Sequence, residues 1–247
     1  MNYKISHVVR TGRRHQAEGI PCQDQIHVCR EGGVVCAALA DGAGSRASSH
    51  IGAACVTAAV AALACEEFEG WWAQEDRKLA ARILRRCLEE LEGQPYPVYE
   101  LASTLLFFAA DGAGRYLSGH LGDGVQVRVT SEGAEVFSPP ENGEFENETF
   151  FLTDVDALDH FRLRRGRLAG RGSLLLMSDG MGESLYERRT GTPAHACSTI
   201  ARWLWEGEET VISRALEENT ERLFAPRSAD DLSLVVIDWN DGSEREA

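Results

Sequence analysis

The stretch Val34-Val35-Cys36-Ala37-Ala38-Leu39-Ala40-Asp41-Gly42-Ala43-Gly44-Ser45 decides how the chain is read. Its first seven residues are apolar without a break. A strand covered on both faces requires this, whereas a strand with one wet face would alternate. Asp41-Gly42-Ala43-Gly44 then stops the strand, and Ser45 or Ser48 is placed to cap the next helix. That helix is expected to run to about Phe68, and its many small residues predict close packing in a core.

Working outward, residues 26–28 read as a short strand joined to the first by the turn residues Glu31-Gly32-Gly33. An amphipathic helix is expected over 74–91, where Leu79, Ile83, Cys87 and Leu91 repeat on one face. Beyond Pro95 and Pro97 come strands at 103–110, 115–121 and 125–130, with Asp111-Gly112 and Asp123-Gly124 as hairpin signals between them. A further apolar strand at 173–177 ends at Ser178-Asp179-Gly180. Helices at 194–205 and 208–224 and a last strand at 232–237 complete the pattern. Strands and helices come in blocks rather than in βαβ alternation, which predicts antiparallel sheets with helices packed outside them, an α+β architecture. No linker or repeat interrupts the chain, so one domain over 1–240 with a polar tail at 241–247 is the simplest organisation.

The composition is that of a globular protein, 43% hydrophobic and 26% charged, with a formal charge of −14. Such a surface repels nucleic acid and anionic membranes, and neither is an expected partner. The longest nearly apolar run, 51–65, reads as too short to span a bilayer. The N-terminus lacks a signal-peptide pattern, and seven scattered cysteines without a CxxC pair fit reduced thiols, so a cytoplasmic location is expected.

An acid recurs wherever a buried strand stops or starts. Asp41 follows 34–40, Asp179 follows 174–177, Asp230 and Asp231 precede 232–237, and Asp24 precedes 26–28. Strand ends are rigid enough to hold side chains to catalytic tolerance, and hard cations such as Mg²⁺ and Mn²⁺ take carboxylate and carbonyl oxygens. Glycine after Asp41 leaves the backbone carbonyl of the turn open. Two ions about 4 Å apart can activate a water and neutralise a phosphoryl group, with no nucleophilic Ser or Cys. Asp-Gly is also the commonest turn former. Asp111-Gly112-Ala113-Gly114 copies the earlier tetrapeptide yet is followed by a strand, and reads as a hairpin turn.

Order and context narrow the reading. The segments HQAEGIPCQDQ, ALADGAGS, STLLFFAADG, GHLGDGVQVR, LLLMSDGMGESL and SADDLSLVVI occur in that order, with GEFENETFFLTDVDAL ahead of the SDG strand. Together they resemble the protein phosphatase 2C superfamily, in particular its small bacterial branch, over nearly the full length. The resemblance implies a four-layer α-β-β-α sandwich of two antiparallel sheets flanked by helices. It also implies hydrolysis of phosphoserine or phosphothreonine at a dinuclear Mn²⁺ or Mg²⁺ site, with a third, weaker ion. Asp41 would bridge the ions, the Gly42 carbonyl would bind one, and Asp179 and Asp230 would complete a shell. Asp231 takes a position that is Asn in the family. Asp24 would hold a water on the metal, and Asp123 would join Asp179 around the third ion. The implied partners are a phosphorylated protein and a cognate Ser/Thr kinase.

The chain departs from the family at three places: Gln23 stands where Glu is frequent, Gly19 where many members carry a phosphate-clamping Arg, and Ala43 where DGHG carries His. His15 is the candidate to replace the missing acid. Arg13, Arg14 and Arg46 are the candidates for the phosphate contact.

The missing groups motivate one alternative, a pseudophosphatase that binds without turnover. Against it, a dead site has no reason to keep mutually repelling carboxylates. Gly42-Ala43-Gly44-Ser45-Arg46-Ala47 also satisfies the dinucleotide fingerprint GxGxxG/A. Asp41 abuts the loop where pyrophosphate would lie, and the elements before it are β-β, which argues against a dehydrogenase. Cys22, His27 and Cys29 match no established zinc spacing. The basic run 162–171 is either a solvated loop, an edge strand protected by charge, or a guide for phosphoproteins.

Overall fold

The computed structural model describes residues 1–143 and 148–243. Part of the GEFENETFFLTDVDAL segment, 144–147, and the end of the polar tail, 244–247, lie outside the described residues. In chain order the first half carries β1 (Asn2–Arg10), α1 (Arg13–Glu18), β2 (Gln25–Glu31), β3 (Val34–Ala40), α2 (Ser49–Ala73), α3 (Asp76–Glu92), β4 (Leu105–Asp111) and β5 (Arg115–Leu121). The second half carries β6 (Val125–Thr130), β7 (Gly133–Ser138), α4 (Ala157–His160), β8 (Arg162–Arg167), β9 (Arg171–Met177) and α5 (Asp179–Leu185). It ends with β10 (Tyr186–Glu187), β11 (Thr192–Pro193), α6 (His195–Glu206), α7 (Glu209–Asn219) and β12 (Leu232–Asn240).

The chain divides into two compact units, neither of which is a contiguous stretch. One comprises Gln23–Gly124 and Pro140–Arg167, the other Met1–Cys22, Val125–Pro139 and Leu168–Ala247.

In the first unit, five antiparallel strands run in the order β2-β3-β4-β5-β8. β3 and β4 are buried along their whole length, as the unbroken apolar run of β3 predicts. α2 packs on this sheet and extends past Phe68 to Ala73, because Trp71 is itself core. The Trp71 ring meets Phe107 edge-on at 6.0 Å and its Nε1 donates to Glu67. At 25 residues with an apolar window, α2 is long enough to cross a membrane, which corrects the shorter span read from the sequence. Yet 56% of that window is buried, as in the core helix of a packed domain. The basic run is strand β8 at the sheet's edge, continuing toward β9. Arg165 donates to the Trp72 and Gln74 carbonyls, placing a cation at the C-terminus of α2, where the helix dipole favours it.

In the second unit, the antiparallel order is β1-β12-β9-β6-β7. β1 escaped the sequence reading because its inward polar residues break the apolar pattern. They can face inward only because each finds a partner. The Lys4 Nζ donates to the Leu204 and Gly207 carbonyls at the end of α6, and the Ser6 and Ser213 hydroxyls pair at 2.8 Å. The expected hairpin at Asp123-Gly124 is a correction. β5 pairs with β4 and β8, whereas β6 pairs with β7 and β9, so the turn joins two different sheets. The Asp111-Gly112 hairpin does join β4 to β5.

Candidate metal centre

The candidate residues fall into two groups, one in each unit. In the first unit, Asp24 is fully buried immediately before β2, and Asp41 is half-buried immediately after β3. The backbone around Asp41 is fastened on both sides. Its N–H donates to the Thr104 hydroxyl at 2.9 Å, its carbonyl accepts from the Thr104 N–H at 2.8 Å, and Gly42 bridges Ser103. Gly42 also donates to the Gln23 carbonyl at 3.1 Å. The Gln23 side chain in turn donates to the Arg46 carbonyl at 2.9 Å, a bond that a glutamate in this position cannot make. A Cβ on Gly42 would lie 2.8 Å from the Ser49 hydroxyl, so the turn has room for glycine alone.

Ala43 is buried. Arg46 lies over the Tyr99 ring at 5.6 Å with Glu100 beside it at 4.0 Å, so its charge has local partners. Asp123 accepts from the Thr149 hydroxyl. The preceding turn is held by buried His120, whose Nε2 donates to the Gly122 carbonyl at 3.0 Å. Burial first, and then the Arg162 charge, push the His120 pKa well below its ordinary value, so the ring stays neutral.

In the second unit, Asp179 opens α5 with Ser178 as its N-cap residue, and its Oδ1 accepts from the Gly180 N–H. Ser178 exchanges two 3.1 Å bonds with Ser233, extending the β9–β12 ladder to the strand end. A Cβ on Gly180 would sit 2.1 Å from the Asp231 carbonyl oxygen, so only glycine lets α5 start against that backbone.

Asp230 and Asp231 divide their labour. Asp231 is buried; its Oδ1 accepts from the Gly12 N–H at 2.6 Å and its Oδ2 from the His15 Nδ1 at 3.0 Å. Asp230 is 41% exposed, with Oδ1 accepting from the Asp231 N–H and the Arg14 guanidinium 3.9 Å away. Arg13 donates from Nε to the Ser228 carbonyl. The segment from Gly12 to His15 therefore docks onto the segment from Ser228 to Asp231. His15 is buried and turned to a carboxylate, which does not suit the leaving-group acid expected from the sequence. Sequence reasoning missed Gly12 and Ser228; the Thr-Gly-Arg-Arg-His start of α1 gave no local sign of its partner.

Among the described residues, no three His, Cys, Asp or Glu side chains converge into a ready ligand cluster. The donors each unit presents are carboxylates and one open glycine carbonyl, the hard oxygens that suit Mg²⁺ and Mn²⁺ rather than softer ions.

Comparison with known proteins gives these groups a context. The family profile "Protein phosphatase 2C" matches residues 11–219. The chain is 26% identical over 191 residues to "Serine/threonine-protein phosphatase 3" of Escherichia coli K12, covering 73% of this chain and 74% of that protein. Among solved structures it resembles "PppA, a key regulatory component of T6SS in Pseudomonas aeruginosa", with TM-score 0.65, 18% identity, and 96% and 97% of the two chains covered. It also resembles the serine/threonine phosphatase Stp1 from Staphylococcus aureus, with TM-score 0.67, 15% identity and coverage of 97% and 96%. A third likeness is to RsbX in complex with magnesium, with TM-score 0.58, 15% identity and 96% of each chain covered. These likenesses fix the fold as α+β with two antiparallel sheets.

Proposed function

The chain belongs to the protein phosphatase 2C family of serine/threonine protein phosphatases, and from that premise we propose that it removes phosphate from phosphoserine or phosphothreonine at a dinuclear Mn²⁺ or Mg²⁺ site. The observation that carries the reading is the placement of the acids. Each stands where a strand ends or begins, and at Asp41 and beside Asp179 the backbone is fastened by tertiary hydrogen bonds rather than by the local turn.

Asp41, the Gly42 carbonyl, Asp179 and Asp230 would hold two ions, and Asp123 with Asp179 a third. When bound, the ions supply a Lewis acid that makes water nucleophilic at neutral pH and offsets phosphoryl charge. The remaining work falls to the chain. Asp24 accepts a proton from the attacking water or orients it. Arg14 already stands by Asp230 and is the phosphate contact we favour; Arg13 and Arg46 are engaged with Ser228, Tyr99 and Glu100. His15 is reassigned as a positioning residue. It fixes Asp231, whose N–H in turn orients the Asp230 carboxylate. Substituting His15 by Ala is expected to lower both stability and ion affinity, whereas loss of a leaving-group acid would lower kcat alone.

The substrate class is a phosphorylated protein, supplied by a cognate Ser/Thr kinase. Seven free thiols fit a reducing, cytoplasmic setting. Ala43 and Gly19 in place of the family's His and Arg favour one second reading, a binding module with little turnover. Release of phosphate from a phosphothreonine peptide separates the two. We expect release that requires Mn²⁺ or Mg²⁺ and stops with EDTA. Folded, ion-saturated protein that releases none would establish the binding module.

A further inference from the structure

Three of the seven free cysteines gather on one face of the first unit's sheet. Cys29 on the edge strand β2 lies directly opposite Cys36 on β3. α2 packs over both strands, and its Cys65 thiol donates to the Val34 carbonyl at 3.7 Å. Val34 and Cys36 share one face of β3, so Cys65 above Val34 and Cys29 opposite Cys36 fall in the same cluster. An edge strand and the helix above it thus each bring a thiol to one cluster, though 36 residues apart in numbering from 29 to 65.

The hairpin register selects Cys65 over Cys36 as the partner of Cys29. Gly32 and Gly33 have φ of +58° and +79°, the positive pair that a type I′ turn requires. In such a hairpin the flanking pair, Glu31 and Val34, is hydrogen-bonded, and pair types alternate along the ladder. Cys29–Cys36 is thus again a hydrogen-bonded pair, in which opposed side chains stand farther apart.

Access is also unequal. Cys36 is fully buried, Cys29 is half-exposed, and Cys65 borders an open cleft of about 510 Å³ lined by Gly32, Gly33, Glu66 and Asp111. Burial raises the Cys36 thiol well above its ordinary value and pushes Cys65 up to about 12, so both remain protonated.

We propose that Cys29 and Cys65 form a reversible disulfide when the protein meets hydrogen peroxide, making this pair an oxidant-modified site separate from the phosphatase chemistry. The Cys29 thiolate attacks one peroxide oxygen, the O–O bond breaks and hydroxide leaves, giving a sulfenic acid on Cys29. The Cys65 sulfur then attacks the Cys29 sulfur. The S–O bond breaks, and the departing hydroxide takes the Cys65 proton as water. Two electrons pass from the thiol pair to the peroxide. The cross-link fastens the edge strand β2 to α2.

The test treats the folded full chain with hydrogen peroxide, blocks remaining thiols without reduction, and reads intact mass and a peptide map. The expected result is a loss of about 2 Da, a linked Cys29–Cys65 peptide, and full reversal by dithiothreitol. The Cys36→Ala variant keeps the link. Cys65→Ala loses it, and Cys29 proceeds to the irreversible sulfinic acid. The proposal is overturned if wild-type Cys29 over-oxidises while Cys65 remains open to alkylation after denaturation, if the map shows Cys29–Cys36, or if no link forms. The wild-type map decides even where a buried variant folds poorly.

Discussion

The tetrapeptide Asp-Gly-Ala-Gly occurs twice, at 41–44 and at 111–114, each time after a fully buried strand of the same sheet. At 111 the acid is met by its own neighbours. The Asp111 carboxylate accepts from the Ala113 and Arg115 N–H groups and from the Arg115 guanidinium, and Gly114 adopts φ of +77°. At 41 the backbone is held from outside, by Thr104, Ser103 and Gln23, and no glycine there has positive φ. The chain also leaves the two turns differently: Arg115 continues into a hairpin, whereas Ser45 leads toward α2. Four identical residues make a structural turn where their own neighbours satisfy the acid, and a candidate ligand turn where distant residues fix the backbone.

The widest separation is expected in activity. Asp41→Asn should cost on the order of 1,000-fold in kcat/KM, the scale of removing one preorganised charge-stabilising group, with the fold intact. Asp111→Asn should leave turnover of a phosphothreonine peptide within about twofold but destabilise the protein by about 2 kcal/mol, as loss of charged hydrogen bonds does. Steady-state kinetics and urea unfolding on both variants check this; an active Asp41→Asn would erase the distinction.

A smaller contrast lies in the last glycine. Gly114→Ala forces a side chain into the left-handed region and should cost about 1 kcal/mol or more. Gly44→Ala should stay within about 0.5 kcal/mol. Equal midpoints in denaturant would mean the two turns share a conformation after all.

The smallest effect is on pH. The Arg115 hydrogen bond holds the Glu69 carboxyl below its ordinary value of about 4.5. A depressed folded pKa stabilises the fold above the unfolded value, and that contribution fades as pH falls through the folded value. Glu69→Gln should therefore flatten the stability profile slightly on the acid side of about 4.5 and leave the slope near pH 7 unchanged, as unfolding at graded pH would show.

The same division between local and distant control explains what could be read in advance. β3, α2, α3 and β9 were legible because their apolar patterns are statements about burial that each segment makes alone. β1 was not, since Lys4 and Ser6 read as solvent-facing until α6 and α7 supply their partners. The Asp123-Gly124 turn has hairpin chemistry, but which sheet β6 joins is decided by β9. Within the candidate site, the acids showed themselves by position at strand ends. The pairing of His15 with Asp231, 216 positions apart, has no local signature, and it is the reason His15 is proposed as a support for Asp231.

The proposal stands or falls on Asp41 and Asp179 each acting as an ion ligand while Asp111 does not. Calorimetric titration of Mn²⁺ into wild type, Asp41→Asn, Asp179→Asn and Asp111→Asn tests it most directly. Wild type and Asp111→Asn are expected to bind alike, and each of the other two substitutions to abolish or sharply weaken ion binding. Wild-type affinity and stoichiometry in either Asp41→Asn or Asp179→Asn would contradict it.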